Sequence, residues 1–263
     1  MRIYSNFIED GLEQRIGNDP ILKNKPITLF YDISILDPLV LSKNPYNFLF
    51  IMEPNELFGY HTFAQQHGHL FSAIFTWGKS ILDTTPNAYP FYFGPGDPGL
   101  VRYQDEKLYE ISFLCGSKQI IEGHHLRHRV YNLQSEFEKP THFIYTSPWD
   151  GGKCRCWHSM FHIAIENSRN FNYFTEKIID AFITKTIPLY WGCLNIGDFF
   201  NLDGIVVFED EKDLIEKCKL LTPQYYKERE EVLLENQQKA LQYADYIGRI
   251  KELLIEVCEI NSI

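Results

Sequence analysis

Residues 162–192, HIAIENSRNFNYFTEKIIDAFITKTIPLYWG, contain the strongest architectural signal in this chain. An apolar run ends at Ile165, and the polar residues 166–168 follow it directly. A polar loop leads to Thr175, whose side chain is of the kind that caps a helix. An apolar helical pattern then precedes a second apolar run at 187–191. Strand, helix and strand in this order predict a parallel sheet covered by helices.

The same alternation extends on both sides of this stretch. The predicted strands are 2–4, 27–31, 47–52, 72–76, 89–93, 110–114, 142–145 and 204–208, and the predicted helices are 123–133, 175–184, 211–221 and a tail over 223–257. The segment 94–99, Gly-Pro-Gly-Asp-Pro-Gly, interrupts the pattern because proline and glycine disfavour regular elements. We therefore predict an α/β protein of two Rossmann-like lobes, residues 1–100 and 101–263, with a ligand cleft between them and a C-terminal helical tail.

Composition narrows the functional class. The 263 residues include 25 Lys and Arg against 35 Asp and Glu, which gives a net charge of −10. Such an acidic chain is a poor general nucleic-acid binder, because that role requires many cations. No apolar run is long enough to span a bilayer, and the first residues lack a signal core. With six scattered cysteines, we expect a cytoplasmic protein with no transmembrane segment, and the oligomeric state stays open.

Glu176 and Lys177 indicate an anion site. Both follow Thr175 and fall in the first turn of the predicted helix, at the carboxyl edge of the parallel sheet. Free N–H groups at a helix N-terminus attract anions, whereas a lysine there opposes the helix dipole. A diphosphate would offset that opposition, and Glu176 can accept hydrogen bonds from ribose hydroxyls. The alternative is an ordinary helix cap with solvated charges.

Three segments of this stretch resemble the α1,3/4-fucosyltransferase family, most closely its bacterial branch. They are Ile165-Glu166-Asn167-Ser168, Tyr173-Phe174-Thr175-Glu176-Lys177 and Ile187-Pro188-Leu189-Tyr190-Trp191-Gly192. The resemblance implies a GT-B fold, with a GDP-fucose donor in the second lobe and a glycan acceptor toward the first. It also implies inverting transfer without a metal or a cofactor, in the setting of protein glycosylation.

The resemblance also assigns donor-binding residues in the second lobe. Residues 111–115 and the following helix resemble the family's first donor-lobe strand and the helix with its phosphate-binding arginine, which corresponds to Arg127. The other implied donor-binding residues are Glu166, Asn167, Tyr173, Glu176 and Lys177. Alternatives remain for some of them: Glu166 contacts the sugar or holds the loop, and Tyr173 contacts the donor or packs in the loop. Arg129 ranks below Arg127, and Asn195 is a further donor-contact candidate.

Glu53 is the candidate general base. Residues 50–54, Phe-Ile-Met-Glu-Pro, resemble the family's Glu-Ser-Pro segment, although the serine is missing here. A carboxylate at the end of a strand that faces a cleft can take the proton of an acceptor hydroxyl. Glu56 and Asp83 are the alternatives.

Three functions therefore stay open. The first is fucosyl transfer from GDP-fucose to a glycan hydroxyl, the second is transfer from another nucleotide sugar, and the third is nucleotide or carbohydrate binding without catalysis. A zinc site is not expected, since no Cys-x-x-Cys pair accompanies the candidate ligands. Those candidates are His124, His125, His128, Cys154, Cys156 and His158.

Overall fold

The computed structural model describes residues 2–5, 16, 18–33, 45–146 and 156–260. The chain divides into two compact units, residues 1–93 with 245–263, and residues 94–244. The first boundary falls at the start of the Gly-Pro segment. Among the described residues, no helix has the length and apolar character needed to cross a membrane.

The first unit contains one parallel sheet with helices after its strands. Its elements are β1 (Arg2–Ser5), β2 (Ile27–Tyr31), β3 (Tyr46–Ile51), α1 (Asn55–Phe58), α2 (Tyr60–His67), β4 (Ala73–Thr76), α3 (Lys79–Thr84) and β5 (Ala88–Pro90). The strands are parallel and lie in chain order, β1-β2-β3-β4-β5. Side chains alternate between two buried faces, with Phe48 and Phe50 on one and Leu49 and Ile51 on the other.

The second unit contains the other parallel sheet. Its elements are β6 (Tyr109–Gly116), α4 (Glu122–Asn132), β7 (Thr141–Thr146), β8 (Ser159–Ile165), α5 (Glu176–Ile183), β9 (Ile187–Trp191), β10 (Val206–Val207), α6 (Glu211–Leu220), α7 (Pro223–Lys227) and α8 (Glu230–Ala244). Short 3-10 turns lie at Gly68–Leu70 in the first unit and at Pro98–Tyr103, Gln134–Glu136, Ile196–Asp198 and Leu202–Gly204 in the second. The predicted strand 204–208 is therefore shorter, since Gly204 ends a 3-10 turn that Asn201 caps.

The strands of the second sheet have the order β10-β9-β8-β6-β7, and all neighbours are parallel. Counted from β6, this is the 2-1-3-4-5 order of flavodoxin-like doubly wound sheets. The chain therefore reverses its direction of travel across the sheet between β6 and β8. In such sheets, ligands bind outside the carboxyl ends of the strands at that reversal.

The predicted tail is divided among three helices. After α7 and α8, the last helix is α9 (Tyr246–Ile260), and it belongs to the first unit. Its apolar residues Ile250, Leu254 and Val257 join the core formed by one face of the first sheet. The predicted second lobe, 101–263, differs from the observed second unit in this respect. The physical reason is that the apolar face of α9 is buried on the other sheet.

Lys107 joins three acceptors at the amino edge of the second sheet, and we expect its loss to destabilise the protein. Its Nζ donates to the carbonyl oxygens of Trp157 (3.2 Å) and Thr184 (2.7 Å) and to Oγ1 of Thr186 (2.9 Å). Lys107→Met leaves these acceptors without their donor, and buried acceptors left unsatisfied cost about 1–3 kcal/mol each. We expect urea titration to show a loss of about 3 kcal/mol in the free energy of unfolding.

Lys212→Met is the control for this prediction, because Lys212 is exposed on α6. Equal urea midpoints for the Lys107 and Lys212 variants would contradict a structural role for Lys107.

Candidate functional site

The carboxyl ends of β6 and β8 lie side by side, and the segments that follow them form the candidate site. The chain leaves β6 at Gly116 and enters α4, whereas it leaves β8 at Ile165 and continues into Glu166 and Asn167. This is the position at which the strand order reverses, so the fold itself predicts a ligand crevice there.

Gly123 lets the first turn of α4 approach the loop after β8. Its N–H donates to the carbonyl oxygen of Asn167 at 3.1 Å. A Cβ atom at this position would lie 1.9 Å from the carbonyl oxygen of Glu166, so a side chain does not fit. The contact places Arg127, on the next turn of α4, over the same loop.

The Arg127 guanidinium is anchored to this loop at two points. Its Nε donates to the carbonyl oxygen of Ile165 (2.9 Å), and its Nη2 donates to Oδ1 of Asn167 (2.7 Å). Burial lowers the pKa of Arg127, whereas the nearby Glu166 and Glu176 raise it. The guanidinium stays charged because its pKa starts far above neutral pH. The other N–H groups of the guanidinium are suitable donors to phosphate oxygens.

Lys177 and Glu176 begin α5, where the sequence places them. Thr175 is the N-cap, and the Lys177 Nζ donates to its Oγ1 (3.0 Å) and to Oε1 of Glu176 (3.1 Å). The same Nζ lies 3.6 Å from Oε2 of Glu166. The side chains of Lys177 and Glu176 are 21% and 28% exposed, so both are accessible to a ligand.

His124 shows that the cations of the two helices act at one place. Its ring is buried, and its pKa is lowered to about 4 by burial and by the charges of Arg127, Lys118 and Lys177. Arg127 and Lys177 thus act electrostatically on the same imidazole, although they lie on different helices. From the sequence alone, His124 is only a zinc candidate. His124 lies three residues before Arg127 on the same helix, and this spacing could have indicated from the sequence that the two side chains are neighbours.

The Glu166 carboxylate is hydrogen-bonded within the loop after β8, and its role at the donor site stays a prediction. The carboxylate is fully buried, and it accepts from the backbone N of Thr175 (2.9 Å) and from its Oγ1 (2.6 Å). The Tyr190 hydroxyl also donates to it at 3.4 Å. Burial raises the pKa of Glu166, while the Lys177 charge lowers it. This geometry fixes the start of α5 and leaves Glu166 no exposed surface for a sugar.

Tyr173 and Asn195 also serve the loop. Tyr173 is buried in the loop. Asn195 accepts the N–H of Asn172 at Oδ1 (2.7 Å) and donates from Nδ2 to the Asn172 side chain (2.8 Å). Asn172 has a φ of 64°, a left-handed conformation that asparagine adopts more readily than most residues. Asn195 therefore braces a turn in the loop.

Arg129 is placed outside this cluster, as its lower rank predicted. It is exposed and pairs with Glu122 at 2.7 Å and with Glu211. The described residues contain no group of three His, Cys, Asp or Glu side chains that could hold a metal ion, so the zinc candidates among them do not form a metal site. Cys154 lies outside the described residues.

In the first unit, Glu53 follows the carboxyl end of β3 and is half-buried. Oδ1 of Asp32 accepts the backbone N–H groups of Met52 (2.8 Å) and Glu53 (3.1 Å). Asp32 has a φ of 46°, and burial raises the pKa of its carboxyl to about 7. Asp32 is not among the residues predicted from the sequence, because its backbone partners Met52 and Glu53 follow a different strand.

The two alternatives to Glu53 lie on helix surfaces. Glu56 is exposed in α1, and Asp83 is exposed in α3, where it pairs with Lys79 at 2.7 Å.

Comparison with known proteins gives a local sequence match and a match of the fold. Over 56 residues, 21% of this chain, the sequence is 41% identical to Alpha-(1,3)-fucosyltransferase FucT of Helicobacter pylori. Over this segment the chain is similar to that fucosyltransferase. The resemblance predicted from the sequence is thereby confirmed. The matched segment covers 12% of the length of the H. pylori protein. No protein-family model matches the chain.

The likeness to fucosyltransferases extends to the fold, as solved structures show. A crystal structure of α1,3-fucosyltransferase superposes with a TM-score of 0.56 at 15% identity and covers 94% of this chain and 89% of that one. A structure of α1,3-fucosyltransferase with GDP-fucose gives a TM-score of 0.54 at 15% identity, and the match again covers 94% of this chain and 89% of that one. The predicted GT-B fold class, with two parallel α/β lobes and C-terminal helices, is confirmed. The roles of individual site residues stay predictions.

Proposed function

We propose that this fucosyltransferase relative is an inverting glycosyltransferase that transfers fucose from GDP-fucose to a hydroxyl group of a glycan. The observation that carries the proposal is that Arg127 and Lys177 reach neighbouring residues of one loop at the strand-order reversal of the second sheet. Nη2 of Arg127 donates to Asn167 at 2.7 Å, and Nζ of Lys177 lies 3.6 Å from Oε2 of Glu166. Two cations from different helices at the carboxyl ends of the strands of a Rossmann-like sheet are suited to binding a nucleoside diphosphate. The local sequence match supports the choice of GDP-fucose among nucleotide sugars.

The proposed chemistry is a single displacement. The acceptor oxygen attacks the anomeric carbon, and the bond from that carbon to the diphosphate oxygen breaks with its electron pair on GDP. The transition state resembles an oxocarbenium ion, and negative charge develops on the diphosphate. Arg127, Lys177 and the positive end of the α5 helix dipole offset that charge, which is the main electrostatic contribution of the protein. Glu176 accepts a hydrogen bond from the ribose.

The acceptor hydroxyl loses its proton to a carboxylate, and we assign this role to Glu53. Its backbone is held at the end of β3 by the Asp32 carboxylate, so the base is attached to a fixed segment. One displacement inverts the configuration at the anomeric carbon, so a β-linked donor gives an α-linked product. Asn167 supports the donor site by accepting a hydrogen bond from the Arg127 guanidinium, and Tyr173 packs in the same loop.

Calorimetric titration with GDP tests the donor site. We expect Arg127→Ala and Lys177→Ala each to raise the Kd of GDP by about 30-fold, since each removes a charge-assisted contact worth about 2 kcal/mol. Arg129→Ala is a matched control, because it removes an arginine from the same helix outside the cluster. Its GDP affinity is expected to equal that of the wild type.

Unchanged affinity in both the Arg127 and the Lys177 variants would contradict the diphosphate site. Titration with UDP and ADP, followed by a panel of nucleotide sugars scored for product, identifies the donor. Binding of GDP without turnover of any donor and acceptor pair would favour a non-catalytic relative.

A further inference from the structure

The two residues that follow β3, Met52 and Glu53, are held from both neighbouring strands. Asp32 follows β2, and its Oδ1 accepts the backbone N–H groups of Met52 (2.8 Å) and Glu53 (3.1 Å). Trp77 follows β4 on the other side of β3, and its Nε1 donates to the carbonyl oxygen of Met52 at 2.8 Å. The N–H and the C=O of the peptide group between Met52 and Glu53 are therefore each bound by a side chain.

His61 holds the next peptide group, between Glu53 and Pro54. Its Nε2 lies 3.3 Å from the carbonyl oxygen of Glu53. A carbonyl oxygen only accepts, so Nε2 carries the proton and donates it. Pro54 has no N–H, so this carbonyl is the only polar group through which that peptide can be hydrogen-bonded. The His61 ring packs edge-on against the Trp77 ring, with 4.7 Å between the ring centroids.

The His61 ring is closely enclosed and neutral. A Cβ atom on Gly78 would lie 2.7 Å from both Cε1 and Nδ1 of the ring, so the chain after β4 passes directly beside it. Burial lowers the pKa of His61, while the charge of Glu56 raises it. The ring is therefore uncharged at pH 7, with the proton on the nitrogen that faces the Glu53 carbonyl.

We infer that His61 and Trp77 are positioning residues for the reaction: they hold the two peptide groups that flank the Cα atom of Glu53 and thereby set the direction of its side chain. Each peptide group is planar, so the backbone of a residue has only the rotations φ and ψ between its two flanking planes. When both planes are held, the direction of the Cα–Cβ bond is fixed as well. The inference rests on the proposed function, in which the Glu53 carboxylate takes the proton of the acceptor hydroxyl.

The test compares two substitutions of similar length at residue 61. In His61→Gln, the amide nitrogen takes the place of Nε2 and keeps a donor for the carbonyl oxygen of Glu53, whereas His61→Met has no donor. Trp77→Phe is the second test, because it keeps an aromatic ring but removes the indole N–H. The control is His69→Met, since His69 is exposed in the same unit.

The readouts are kcat for fucosyl transfer from GDP-fucose to a glycan panel and the Kd of GDP. We expect His61→Met and Trp77→Phe each to lower kcat by about tenfold, because a small displacement of a catalytic group is costly, and to change the Kd of GDP by less than about twofold. His61→Gln is expected to stay within about threefold of the wild-type kcat, and His69→Met to equal it. In a Glu53→Gln background, His61→Met and Trp77→Phe are each expected to add less than about a twofold loss, because they act through the same carboxylate.

Each outcome decides the inference. A wild-type kcat in a folded His61→Met or Trp77→Phe variant would overturn it. Equal losses in the Met and Gln variants, or a further tenfold loss in the Glu53→Gln background, would mean that the rings do not act through Glu53 and would overturn it as well. If His61→Met does not fold, Trp77→Phe decides by the same comparison.

The failure of the inference is distinguishable from the failure of the proposed function. If the wild type transfers fucose and Glu53→Gln does not, but His61→Met transfers at the wild-type rate, the inference fails alone. If Glu53→Gln keeps full activity, the inference fails together with the assignment of the base. If the wild type transfers no sugar, the proposed function fails and the inference fails with it.

Discussion

Glu53→Gln is expected to lower the turnover of donor and acceptor by about 10³-fold, while the Kd of GDP changes by less than about twofold. The glutamine keeps the size of the side chain but cannot take the proton of the acceptor hydroxyl. A general base contributes about 10²–10⁴-fold to the rate, which sets the expected size of the loss. The measurement is GDP release with a glycan panel, alongside calorimetric titration of GDP.

Glu56→Gln and Asp83→Asn are the controls for this prediction, because they remove the two alternative carboxylates. Both side chains are exposed, and that of Asp83 already pairs with Lys79. Both variants are expected to turn over at the wild-type rate. If one of them loses turnover while Glu53→Gln keeps it, the base is misassigned. If all three keep full activity, the proton leaves by another route.

Gly123→Ala is expected to lower the free energy of unfolding by about 4 kcal/mol and to abolish GDP binding. The new Cβ atom would lie 1.9 Å from the carbonyl oxygen of Glu166 and 2.6 Å from that of Asn167. Both neighbours are backbone atoms, so no side-chain rotation relieves the overlap, and losses of this size mark such forced displacements. α4 must move away from the loop, and Arg127 moves with it.

Gly116→Ala is the matched control, since a Cβ atom at that position meets no atom within 4 Å. It lies at the end of the strand that precedes α4. We expect its urea midpoint and GDP affinity to stay near those of the wild type. Similar stabilities for the two variants would show that α4 adapts to the extra methyl group, and the close approach would then have no special importance.

The local elements around the site could be predicted from the sequence with good accuracy. The helix predicted over 175–184 is observed as Glu176–Ile183, and the strand at 187–191 is observed unchanged. Both follow from local chemistry, since Thr175 accepts the N–H of Lys177 as a cap and apolar side chains face both sides of a buried strand. The family resemblance rests on the same segments.

Long-range packing set the rest. The sequence could not show that β8 pairs with β6 on the side opposite β7, and this order is what brings α4 and the loop after β8 together. Nor could it show that Glu166 is enclosed or that Asp32 holds the backbone of Glu53. Periodicity and capping act over a few residues, so they reveal which elements form. Strand order, the burial of α9 on the first sheet and the partners of buried polar groups depend on contacts between distant residues, and only the folded chain defines those.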